Sequence, residues 1–184
     1  MSDHVQNRVH ALLHTPALPD LGPGPRAHVQ SADTIRTAME DLKREAGIPE
    51  RQHQLLTALV LLWHDRLEAA HRIVQEIHDA DGSLLHAIMH RREPDYWNSK
   101  YWWRHVGGHP VYGPLGATVA ERLRREPEAE SLAARLVPGG RWDPFAFVDE
   151  AQRLASLPED SPEVTLAREL QKLECEAVLQ HLTP

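Results

Sequence analysis

The chain has 184 residues, 41% of them apolar, and a formal net charge of −7, which suits a single domain with its own core. Its most apolar run, Leu55 to Trp63, is nine residues long and broken by Thr57, well short of the roughly twenty that a membrane span needs, so no membrane role is expected. Between Asp143 and Pro184 nine acidic residues outnumber three basic ones, and the short basic cluster of Arg91, Arg92, Lys100 and Arg104 forms no stripe, so nucleic acid is not an expected partner either.

In chain order, Val5 to Leu13 reads as a short helix, preceded by Met-Ser-Asp-His-Val-Gln-Asn-Arg, which lacks the basic region and apolar stretch of a signal peptide. A cytoplasmic location is the resulting expectation. Thr15 to Pro25 is rich in proline and glycine and reads as a linker, so residues 1–30 form an extension and 31–184 the helical domain. Leu18 and Leu21 favour a linker that wraps the domain. Asp33 to Ala46 is a capped amphipathic helix stopped by Gly47. A long helix is predicted from Pro49 to about Asp79, running through the middle of the fold. After a reversal at Asp79-Ala-Asp-Gly82, Ser83 caps a third helix that ends at Glu93, before proline.

An aromatic helix follows over Asp95 to Val106, then a loop at Gly107-Gly-His109-Pro110. Shorter helices are expected over Pro114–Arg125, Glu128–Leu136 and Asp143–Leu157, with a last one from Ser161. That last helix carries Cys175, the sole cysteine, flanked by Glu174 and Glu176, so neither an intrachain disulfide nor an activated thiol is expected. No run alternates with the period of a strand. The fold class is all-α, a single-domain helical bundle with a central long helix and about six to eight helices.

Eight of the thirteen histidines lie between His53 and His109, with four of the five tryptophans. On the long helix His64, Glu68, His71, Gln75 and His78 recur at three- and four-residue spacing. On the next, His86, His90 and Glu93 do the same. Both His71 and His90 stand about 9.5 residues from the turn, so an antiparallel hairpin puts them level, roughly 14 Å along the axis. Glu68 and Glu93 also match in height. His71, His86 and His90 are therefore the candidate metal ligands, with Glu68 and Glu93 as carboxylate ligands or proton acceptors. Neutral imidazole and carboxylate suit a divalent transition metal: zinc, iron, manganese or nickel. The competing reading is a solvated histidine stripe.

The aromatic helix carries large rings nearly all round, so it is either sandwiched or lines a cavity. Tyr96, Trp97, Asn98, Tyr101 and Trp102 are the candidate pocket walls, and Arg91 and Lys100 would orient an anionic ligand. An internal ion-pair network is the plainer role for each arginine. His109, in its glycine-rich loop, joins His86 as a candidate acid–base group.

The run from His90-Arg-Arg-Glu-Pro-Asp-Tyr96 through Asn98, Lys100-Tyr-Trp102 and His109-Pro110, with Trp63-His64-Asp65 and His71, resembles a block in a group of uncharacterised helical proteins. The resemblance spans roughly residues 60–112 and implies no activity.

Two functions fit. One is a small-molecule enzyme, metal-dependent if the histidines converge, with a His/Glu/aromatic pocket built from residues 64–112. The other is a non-catalytic helical module that binds a ligand or a protein partner, its polar block serving as a structural network.

Overall fold

The computed structural model describes residues 2–126 and 128–184, and over these it is all helical. The helices are α1 (Ser2–Leu12), α2 (Ala32–Ala46), α3 (Glu50–Trp63), α4 (Leu67–Val74), α5 (Ala80–Arg92), α6 (Tyr96–Val106), α7 (Tyr112–Leu123), α8 (Glu130–Leu136), α9 (Pro144–Leu154) and α10 (Pro162–Leu182). Ten α-helices among the described residues is slightly more than the six to eight expected.

The extra helix arises because the span from Pro49 to Asp79 is not one rod. It breaks at residues 64–66, between α3 and α4. Asp65 sits there with φ near 60°, a left-handed conformation that aspartate tolerates better than most residues. Its buried carboxylate accepts from the Arg26 backbone N–H at 3.0 Å, from Arg26 Nη1 at 2.6 Å and from Arg92 Nη2 at 2.6 Å. Burial alone would raise this carboxyl, but these bonds outweigh it and hold Asp65 below the usual carboxylate range. Arg92 also donates to the Leu62 carbonyl, which the break leaves without its helical partner.

α3 remains the centre of the core. Leu55, Leu56, Leu59, Val60 and Leu61 are fully buried, and α3 packs against α1, α2, α4, α5 and α10. The linker between α1 and α2 wraps this core and is tied to it by polar groups. Trp63 Nε1 donates to Thr15 Oγ1, Arg92 donates to the carbonyls of Asp20 and Gly22, and Gln171 donates to those of Pro19 and Asp20. His64 is spent here as well. Its Nδ1 accepts from Gln30 N–H at 3.1 Å, so the proton is on Nε2, which donates to the Leu12 carbonyl at 2.8 Å. The break thus removes His64 from the histidine face read along the sequence.

The reversal into α5 starts earlier than Ser83. Asp79 is the cap, accepting from Gly82 N–H at 3.0 Å. A Cβ at Gly82 would overlap the Ile77 carbonyl oxygen, so only glycine lets the chain fold back this tightly. Next, α6 lies along α5, pinned by buried Ser99, whose hydroxyl donates to the Ala87 carbonyl at 2.7 Å. Asp95 caps α6 through Asn98 N–H. This pairing sets α6 over the histidines of α5.

Candidate metal centre

Three imidazoles meet where α4 and α5 turn toward each other. The His71 ring centroid lies 4.8 Å from that of His86 and 5.3 Å from that of His90, and His86 and His90 stack at 4.8 Å. One nitrogen of each lies within 4.8 Å of the others. Nitrogens around a tetrahedral zinc stand about 3.3 Å apart for bonds of about 2.05 Å, a difference that small side-chain rotations close.

His86 is 3% exposed, and neither of its ring nitrogens has a hydrogen-bond partner. Trp102 stacks on it at 3.9 Å. A buried polar group left unpaired costs roughly 1–3 kcal/mol, so this arrangement is unfavourable as a purely structural one. Burial, then the neighbouring His90 and His71, push the His86 pKa down to about 3. Burial and His71 hold His90 at about 4, against the opposing pull of Asp95. Both rings are neutral at pH 7, the form that binds a metal.

Asn98 Nδ2 lies 3.1 Å from His90 Nε2 and 3.4 Å from Nδ1, while Glu93 Oε2 lies 3.4 Å and Asp95 Oδ2 3.9 Å from Nδ1. The two amide orientations of Asn98 occupy nearly the same volume. With its oxygen toward the ring, Asn98 accepts Nε2–H and leaves the Nδ1 lone pair facing Glu93. Burial raises the Glu93 carboxyl above its usual range; His71 opposes this, and the charges of Glu68 and Asp95 add to it. Glu68 is at the rim, its side chain largely exposed and paired with Arg72 at 3.1 Å.

The other residues singled out in the sequence divide. Trp102 and Asn98 join the cluster. Trp97 and Tyr101 stack on each other at 6.1 Å, exposed on the adjoining stripe of α6, and Tyr96 is half-buried against the core. Arg91 points away: it is wholly buried, donates to Glu174 at 3.1 and 2.5 Å and to Gln171 at 3.3 Å, and sits 4.5 Å over the Phe147 ring. Lys100 pairs with Asp149.

His109 belongs to a second cluster, with Asp81 and His181, that sequence reasoning missed. Asp81 Oδ1 accepts from His109 Nε2 at 3.0 Å and from His181 Nε2 at 2.8 Å, and its Oδ2 takes Arg51 at 2.6 Å. His181 lies a hundred positions from Asp81. No spacing rule links residues so far apart. A cleft of about 810 Å³ lies elsewhere again, lined by charged side chains of α7 to α10 such as Arg122, Glu150 and Glu163.

No protein-family model, curated protein or solved structure matches this chain.

Proposed function

We propose that the protein is a metal-dependent enzyme acting on a small molecule, with a divalent transition metal held by His71, His86 and His90. The observation that carries this is His86: a buried, neutral imidazole with two idle nitrogens, facing two further imidazoles. A ligand set of three neutral nitrogens leaves coordination positions open, and an ion there would polarise a substrate or lower the pKa of a bound water. Glu93, whose carboxylate approaches His90 Nδ1 at 3.4 Å, serves in this reading as a fourth ligand or as the proton acceptor. Asn98 orients the His90 ring, and Trp102 fixes that of His86.

The non-catalytic reading has one observation in its favour, the exposure of Trp97 (73%) and Tyr101 (40%), large rings of the kind that anchor interfaces. Elemental analysis of protein purified without an affinity tag decides between them. Near-stoichiometric zinc, iron, manganese or nickel, lost in His71→Ala, is the expected result. His71 is half-buried at the end of α4, so its removal leaves the core intact. A protein that carries no such metal, and takes up none when each is added, ends the proposal.

A further inference from the structure

We infer that the mouth of the histidine site takes a cationic amine carried on an aromatic or other planar body. This deepens the reading above and rests on it for the place where substrate would react.

The charges left free at the rim set the sign of the ligand. An anionic ligand was the expectation from Arg91 and Lys100, but Arg91 is buried against Glu174 and Lys100 is paired with Asp149. Arg72 is tied to Glu68 within its own helix. Arg104 is exposed one turn past Tyr101 on the stripe of Trp97 and Tyr101, nine residues from Asp95. What stands beside the imidazoles is carboxylate: Glu93 and Asp95 within 3.9 Å of His90. An anion approaching the outer side of His90 meets like charge there, and a cation meets opposite charge.

Aromatic faces complete the rim. Asp95, Asn98 and Trp102 recur at helical spacing on the side of α6 that meets α5. Trp97 and Tyr101 form the stripe beside it. Tyr101 meets Trp102 edge-on at 5.6 Å, and Trp102 covers His86 at 3.9 Å, so a run of rings leads from solvent to the floor of the site. Ring faces attract ammonium groups, and a planar body stacks on them without needing hydrogen bonds. Independent of the carboxylates, the buried and unpartnered His86 marks the floor as a place that awaits a ligand. The amine of a substrate then sits at the rim beside Asp95, its planar body lies on the exposed rings of α6, and its reacting group points to the imidazoles.

Benzyltrimethylammonium and benzenesulfonate make a matched pair of probes: each has one ring, they carry opposite charges, and both ligate metals poorly. Calorimetric or fluorescence titration at low salt, on the protein as purified and after chelation, is expected to show the cation binding at least ~10-fold more tightly. Asp95→Asn, which keeps the α6 cap because asparagine also caps, is expected to shrink that preference ~5-fold or more. Tyr101→Leu is expected to weaken the cation alone, with metal content unchanged. Sulfonate binding as tightly as the cation, or a preference untouched by Asp95→Asn, overturns the inference. Metal content is measured in every sample. A cation preference without metal sinks only the enzyme reading, and metal without the preference sinks only this one.

Discussion

Asp81, His109 and His181 lie as close together as His71, His86 and His90, and both clusters use α5, yet their nitrogens are in opposite states. In the Asp81 cluster every group is engaged. Val111 N–H points at His109 Nδ1 at 3.3 Å, which requires the proton on Nε2, where it is donated to Asp81. A metal could take Nε2 only if that proton moved to Nδ1, against the backbone donor. Arg51 holds the other Asp81 oxygen. In the His86 cluster no backbone group or arginine has claimed the rings. Residue type and proximity are thus insufficient to tell a clamp from a ligand set, and the lone pairs already in use separate them.

The sharpest way to break this comparison is to delete one member of each cluster in metal-free protein and measure stability by urea unfolding. Asp81→Ala strips partners from His109, His181 and Arg51 and should cost about 3 kcal/mol, in the range for breaking a largely buried ion pair. His86→Leu removes two unpaired nitrogens while keeping most of the volume, and should be neutral or stabilising. A large loss for His86→Leu, matching that of Asp81→Ala, would show that the imidazole is structural and collapse the distinction.

Acidification separates the clusters by pH window. His86 and His90 have folded pKa values of about 3 and about 4, below the ordinary 6.5 of the unfolded chain. The unfolded state therefore binds more protons below pH 6.5, and stability falls as pH drops from 6.5 toward 4. At pH 5 an imidazole so depressed costs about 2 kcal/mol relative to pH 8. Asp81 is a carboxylate held below its usual range, chiefly by its bond from His109, with burial opposing. Its contribution is intact above pH 4 and is lost only below. The expected outcome is that His86→Leu flattens the stability profile between pH 6.5 and 4.5, while Asp81→Asn alters it below pH 4. An unchanged slope in His86→Leu would contradict the depressed value.

How far the sequence reached follows the same division between local and distant. The helical class and the one-face spacing of His86 and His90 were legible because periodicity is local, whereas the convergence of His71 with them was not, since it depends on how two helices face each other. The level match did not hold as derived: α4 ends at Val74 and Asp79 caps α5, so the reversal falls at residues 75–79 and His71 lies closer to His86 (4.8 Å) than to His90 (5.3 Å). The break was not legible. Asp65 leaves the helix for Arg26 and Arg92, which are 39 and 27 positions away. His64 departs with it, to Gln30 and Leu12. Arg91 gave no sign of its partners Gln171 and Glu174, since they come from the last helix. Burial of the Cys175 thiol, with Glu174 beside it, pushes its pKa up to about 12, in line with the inert cysteine expected from its acidic neighbours.

The finest test of the comparison concerns Asn98, whose contribution in the open cluster parallels that of Val111 N–H in the closed one. Each neighbour decides which nitrogen of a histidine is left over. If Asn98 accepts His90 Nε2–H, then Nδ1 is the ligand atom, and the group that matters on Asn98 is its oxygen. Asn98→Asp keeps an acceptor and should retain metal affinity, whereas Asn98→Leu removes it and should weaken affinity about tenfold, the lower end for loss of a group behind a metal ligand. Competition with a metallochromic chelator reads both values. If the leucine and aspartate variants bind equally well, Asn98 does not set the tautomer, and His90 is free to choose its ligating nitrogen as His109 is not.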